Sequence, residues 1–168
     1  MSGIDAATYG GNPFIAFNNV VHTNNWYGIN PGGSDSTIYN NIVSKNYLCG
    51  IDEGAASYNS SYNNGSTGAS NYCAISGNIE NITANCLFEN ETSNDYRLQS
   101  TSPCKDKGSP GYLDIDGTRS DMGSFGGPGA ALFWPYWEGG PVITDLSVDP
   151  VYVPRGGTIS INATGEIR

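Results

Sequence analysis

A phrase of thirteen residues is written twice in this chain. FNNVVHTNNWYGI at 17–29 returns as YNNIVSKNYLCGI at 39–51, an offset of 22. Asn18-Asn19 becomes Asn40-Asn41, Val21 becomes Val43, Asn24 becomes Asn46, and Gly28-Ile29 becomes Gly50-Ile51. A looser third copy, YNSSYNN, follows at 58–64, and Gly3-Ile4-Asp5 opens the same corner ahead of the first. A fixed period of this size is the mark of a solenoid. Short β-branched and aromatic runs, broken by Asn and Gly, leave no room in the unit for a helix. Each unit must be a coil of strands alone. The expected fold is all-β, a parallel β-helix with coils of about 22 residues whose successive strands pair in parallel about 4.8 Å apart.

Stacked coils put equivalent side chains over one another. The repeat predicts Asn18, Asn40 and Asn59 in one column and Asn19 and Asn41 in a second, with their amides hydrogen-bonded along the axis. Asn also tolerates the left-handed backbone of a tight corner. These five residues are read as a structural ladder ahead of ligand contacts.

Composition agrees and removes several function classes. Gly (23) and Tyr (11) are abundant and charged residues make up only 14%, a profile of strands and turns. Seven Lys and Arg stand against sixteen Asp and Glu, for a net charge of −9. No basic stripe can form, so nucleic-acid binding lacks its electrostatic source. No apolar run approaches the length of a membrane span. The opening MSGIDAATYGGNPF has neither the basic start nor the apolar stretch of a signal peptide. It reads as a mature chain or a piece of one, or as a cytoplasmic protein. The first coil starts near residue 3 without an amphipathic cap. The chain is therefore expected to be part of a longer protein, and the uncapped coil is a surface through which copies could self-associate.

From residue 77 the style changes. Leu87-Phe88, Asp95-Tyr96-Arg97-Leu98, Ser102-Pro103, Asp106 and Gly108, Asp114-Ile115-Asp116-Gly117, and Asp121-Met122-Gly123 through Gly126-Gly127 follow in that order. The series resembles the last coils and closing loop of right-handed parallel β-helix proteins of the pectate-lyase-like superfamily. The resemblance covers about residues 10–130 and implies a first domain at 1–130 made of coils and a closing region. It implies little about activity, because one fold carries many functions. In that pattern Asp116-Gly117 makes a turn, and Asp114 or Asp121 accepts backbone N–H groups. An EF-hand register would put Tyr112 and Gly123 at the two strongest ligand positions, which argues against a calcium loop there.

Two departures from the family pattern involve cysteine. Cys86 precedes Leu87-Phe88 where Pro is usual, and Cys104 follows Ser102-Pro103 where a small residue is usual. The paired change suggests a disulfide. Cys49 and Cys73 lie 24 residues apart, close to one coil, which brings a second pair within bridging range. Four buried free thiols are the other reading. Disulfides would place the protein in an extracellular or cell-surface setting.

The stretch at 141–168 alternates apolar and polar residues and resembles the first two strands of an immunoglobulin-like domain. Two strands cannot bury a core of their own, so the tail is a truncated module or a hairpin docked on the helix. ALFWPYW at 131–137, inside a linker at 131–140, would cover the end of the solenoid or seat the tail. A sugar-stacking platform is the sharper reading.

The resemblance also implies where chemistry would lie. Lyases of the superfamily hold calcium with clustered carboxylates and use Arg or Lys as base. Here Lys45 is the only basic residue before Arg97. Asp52 and Glu53, at the repeated Gly-Ile corner, offer a calcium pair, against the plain reading of a solvated acidic corner. His22 is read as structural. Trp26, Tyr27, Tyr39 and Tyr47 lie on or beside the repeated strands; outward rings would stack on sugar faces and inward ones would pack the core. The expectation is a non-catalytic secreted or surface scaffold that touches polysaccharide weakly, with no cofactor beyond calcium. The alternative is a polysaccharide lyase or glycoside hydrolase whose site lies on coils outside this chain or at Asp52 and Glu53.

Overall fold

Very short parallel strands separated by left-handed corners build the first of two units. A computed structural model describes residues 1–6, 13–33, 35–66, 70–127, 129–130, 141–149, 158 and 160–167. The chain divides into Met1–Phe133 and Trp134–Arg168. The ALFWPYW stretch and, in the tail, residues 150–157 fall outside the described residues.

The strands are β1 (Ile4–Asp5), β2 (Ile15–Phe17), β3 (Val20–His22), β4 (Ile29–Asn30), β5 (Thr37–Tyr39), β6 (Ile42–Ser44), β7 (Ala55–Ser57), β8 (Ser60–Tyr62) and β9 (Ser76–Ile79). They form three parallel sheets, ordered β2-β5-β7-β9, β3-β6-β8 and β1-β4. Single bridges from Ile29 to Ile51 and from Ile51 to Tyr72 extend the last sheet. The result is a β-solenoid of about three turns with coils about 22 residues apart.

Each side of a coil is short because one residue with positive φ ends it. Asn18, Asn40, Tyr58 and Glu80 hold φ between 49° and 58° at one corner, and Thr23, Lys45 and Asn63 do so at the next. These are left-handed conformations that L-residues adopt at a cost. An Asn follows every one of these seven, and its side chain explains why the corner is tolerated. The Nδ2 of Asn41 donates to Tyr39 O two residues back (2.9 Å) and to Ala16 O on the previous coil (3.0 Å). Its Oδ1 accepts both the backbone N–H and the Nδ2 of Asn19, each at 3.0 Å. The carbonyl and N–H that a corner would leave unpaired are thus met inside the coil.

Two such ladders run the length of the solenoid. One is Asn19–Asn41–Asn59–Asn81. The other is Asn24–Asn46–Asn64–Asn71. Asn59 therefore stands in the column of Asn19 and Asn41, and the place below Asn40 goes to Tyr58, not to Asn59 as the sequence register suggests. The loop is the reason. Ile29 pairs with Ile51 and Thr37 with Ala55, so the link from corner to strand is four residues shorter in the second coil. The ladder offset drops from 22 to 18 at that point.

A column of Gly3, Gly28 and Gly50 marks a close approach between coils. A Cβ on Gly28 would lie 2.3 Å from Val43 Cγ1 and 2.6 Å from Gly50 O. That lack of room accounts for the repeated Gly-Ile pair. Ala16, Val21, Ile29, Ile38, Val43, Ile51 and Ala56 fill the interior. Tyr72 takes the Ile position in the last coil, and its hydroxyl lies 2.8 Å from Asn59 O and 3.0 Å from Ile82 O, closing the core from below.

A second core lies outside the coils. Ile42 faces outward from β6 and is covered by Cys86, Phe88, Cys104 and Met122, with Val20, Tyr96 and Leu98 at the margin. The closing region thus runs back along the outer face of β3-β6-β8. It contains the antiparallel pair β10 (Phe88–Asn90) and β11 (Asp95–Leu98). Disulfides join Cys49 to Cys73 and Cys86 to Cys104. In the second unit, β12 (Pro141–Asp149) and β13 (Ser160–Ile167) pair antiparallel, with a register shift between Ile143 and Asp145.

Two predictions follow from this frame. Asn41→Leu keeps side-chain size but leaves Asn19 N–H and Ala16 O unpaired. At about 1–3 kcal/mol per stranded group, denaturant unfolding should show a midpoint well below that of the native chain; an unchanged midpoint contradicts the ladder. Non-reducing peptide mapping should recover the links 49–73 and 86–104, and reduction should lower stability by about 3 kcal/mol per bridge.

Candidate functional site

The left-handed corners decide what the surface offers, because their side chains point away from the coil. At the second corner Thr23, Lys45 and Asn63 succeed one another along the axis. With Asn25, Tyr47 and Ser66 they line a shallow groove of about 610 Å³. Backbone bonds from Tyr47 N to Asn24 O (2.8 Å) and from Leu48 N to Trp26 O (3.0 Å) hold the two coils in register beneath it. Tyr47 is 61% exposed and Trp26, next to Asn25, is 50% exposed. Trp26 meets half-buried Tyr27 edge to face, with centroids 6.1 Å apart.

Lys45 gives the groove its cation, but that charge is paired with Glu91 of the closing region. Beside this pair His22 lies 3.0 Å from Ser44 Oγ through Nδ1 and packs edge-on against Tyr96. Burial lowers the His22 pKa, against the opposing pull of the Glu91 carboxylate. The His22–Ser44 pair bridges two coils, and Ser44 is buried, so its hydroxyl is closed to a substrate.

Tyr39 belongs elsewhere. It lies on the outer face of β5, stacked between Phe17 (5.3 Å, 7°) and Tyr112 (5.9 Å, 13°). Both faces of its ring are taken, which leaves no face for a sugar. Burial and a hydrogen bond with Tyr112 push its hydroxyl up to about 12. Asp52 and Glu53 sit at the Gly-Ile corner, away from the groove residues. Asp52 Oδ1 accepts from Ala74 N at 3.4 Å, and Glu53 holds φ 62°. The sulfurs of Cys49 and Cys73 lie near Asp52, but the disulfide removes them as thiolate ligands.

Asn18 and Asn40 also have a job apart from the ladders. Asn40 Oδ1 accepts Ser109 N–H (2.6 Å), Asn40 O accepts Gly123 N–H (2.7 Å), and Asn18 Nδ2 donates to Gly123 O (3.0 Å). The two amides anchor the closing loop to the first two coils. Within that loop Asp106, Asp114 and Asp121 bring carboxylate oxygens within 4.8 Å of one another. Asp114 accepts the backbone N–H groups of Asp121 and Gly127, and Asp121 accepts that of Asp106. Burial raises the pKa of Asp114 and pushes Asp121 up to about 6, against those N–H bonds. The trio works as a lock on the loop. Tyr112 and the trio carry no repeat signature, and only the family pattern pointed to Asp114 and Asp121.

Comparison with protein-family models, with curated proteins and with solved structures returns no match.

The lock has a pH signature. A raised carboxyl pKa means that the folded state holds its proton more tightly. The contribution is complete below the ordinary carboxylate range and is lost as pH rises through about 6. His22, whose pKa burial lowers, acts in the opposite sense. The informative quantity is therefore the difference from Asp121→Asn, which keeps an oxygen for Asp106 N–H. Urea unfolding at about pH 5 and about pH 8 should show the substitution gaining on the native chain at the higher pH. Equal differences at both values contradict the assignment.

Proposed function

We propose that this chain is the closing part of a right-handed, pectate-lyase-like β-helix outside the cytoplasm, acting as a non-catalytic scaffold that touches polysaccharide weakly. The observation that carries the reading is the groove lined by the exposed ring of Tyr47 with corner amides and hydroxyls along the solenoid axis, with Trp26 exposed one residue from Asn25 of its lining. Rings match the apolar C–H faces of sugars, and short polar side chains match their hydroxyls. A net charge of −9 favours neutral glycans over uronates.

Other features fit the same reading. Two disulfides suit an oxidising setting. The β12–β13 pair suits the start of an immunoglobulin-like spacer on a surface protein. Uronate-lyase chemistry needs a base and a metal-held carboxylate in one place. Lys45 is tied to Glu91, and Asp52 braces another corner. In affinity electrophoresis the chain should be retarded by a neutral soluble polysaccharide, and Tyr47→Ala or Trp26→Ala should abolish the shift. Pectin and alginate should yield no unsaturated product with or without calcium. Lyase product lost on Asp52→Ala would instead support the enzyme reading.

A further inference from the structure

We infer, resting on the glycan reading of the groove, that its ligand is an extended β-1,4-linked chain of all-equatorial pyranoses, of glucan or xylan type. The chain lies along the solenoid axis with one sugar to each coil. The groove is built in rungs. Thr23 and Asn25 stand on one coil, Lys45 and Tyr47 on the next, and Asn63 and Ser66 on the third. Backbone bonds between coils fix their alignment. Thr23 N donates to Ser44 O (3.1 Å) and Lys45 N to Tyr62 O (3.2 Å), while Tyr47 N and Gly65 N donate to Asn24 O and Asn46 O, each at 2.8 Å. Coils bonded in this way repeat at about 4.8 Å. A fully extended β-1,4 chain advances by one ring length per sugar, close to the same step. A helical α-1,4 chain or a flexible α-1,6 chain leaves such a line within a few sugars.

The middle rung selects the kind of sugar. Its Tyr47 is 61% exposed, and among the described residues no other ring stacks on it, unlike Tyr39. In the column of Tyr47 the coil before carries Asn25 and the coil after carries Gly65. A Cβ on Gly65 would lie 2.8 Å from Ser70 Cβ, so that place stays bare. One ring between an amide and a glycine takes one sugar, and it needs a face made of C–H groups. All-equatorial β-pyranoses offer such a face on either side, and an axial hydroxyl interrupts it. The neighbouring sugars then meet Thr23 and Asn25 at one end and Asn63 and Ser66 at the other. These hydroxyls and amides both donate and accept, as equatorial sugar hydroxyls do. Lys45 is tied to Glu91, so its ammonium does not call for a carboxylate on the sugar. The groove runs along the side of the coils, so a coil stacked ahead of the first would lengthen it and leave it open.

Affinity electrophoresis tests this with the full 168-residue chain. Hydroxyethylcellulose should retard it, and amylopectin and dextran should not. In titrations followed by NMR, Kd should fall by about tenfold from cellobiose to cellotriose, the worth of one more rung of hydrogen bonds. It should change little from cellotriose to cellohexaose. Asn25→Ala alters an exposed side chain and leaves the coil-to-coil backbone bonds in place; it should erase the gain from cellobiose to cellotriose. Retardation by none of the polysaccharides overturns the glycan reading and the extended-chain inference together. Equal retardation by hydroxyethylcellulose and amylopectin overturns the inference and leaves the glycan reading standing, as does an affinity that climbs evenly to cellohexaose.

Discussion

A corner made by a single left-handed residue leaves a carbonyl and an N–H buried without a strand partner, and the solenoid rests on meeting that demand. An unmet buried group costs about 1–3 kcal/mol, and two corners recur on every coil. Asn suits the place because its short side chain carries two donors and an acceptor. Asp has no donor and Ser has no amide. In Asn41 and Asn59 the donors serve carbonyls on their own coil and the coil before, and in Asn46 a carbonyl of the coil before, while each oxygen accepts the amide of the coil before. The ladder is a second backbone inside the first. Once it is in place, the interior needs little more than Ile, Val and Ala at alternate strand positions.

The same arrangement frees the surface. The left-handed residue ahead of every ladder Asn except Asn71 points outward and carries no part of the inner core. Its column reads Asn, Asn, Tyr, Glu at one corner and Thr, Lys, Asn at the other. The first column anchors the closing region: Asn18 and Asn40 bind its backbone, while Tyr58 and Glu80 receive Arg119. The second column lines the groove, with Lys45 alone of its three residues tied to the closing region, through Glu91. Scaffold and surface are thus set by adjacent residues with separate duties.

Much of this was legible because periodicity is a property of sequence. Asn41 over Asn19 and Ile51 over Ile29 follow from one offset. Asn59 was misplaced because that offset assumes coils of equal length, and the link before β7 is four residues shorter. Its neighbours Ser60 and Ser61, which replace Ile42 and Val43, gave no apolar signal to correct the register. Tyr39 reads as a platform from its exposed strand position. Only the fold reveals Tyr112, 73 residues on, closing its second face. Likewise the resemblance in 77–127 identified a closing region, but not that Met122 and Phe88 would cover the outer face of β6. Long-range packing of an unrepeated segment leaves no periodic trace.

The ladders are tested most directly by native-state hydrogen exchange on the backbone amides of Asn41, Asn46 and Asn59. Each follows a corner, where an amide would ordinarily face water, and each donates to an Asn side chain of the next coil. If those side chains hold the coils together, these amides should exchange only through global unfolding, as slowly as Val43 between them. Exchange at the rate of open turns, with Val43 still protected, would contradict the account.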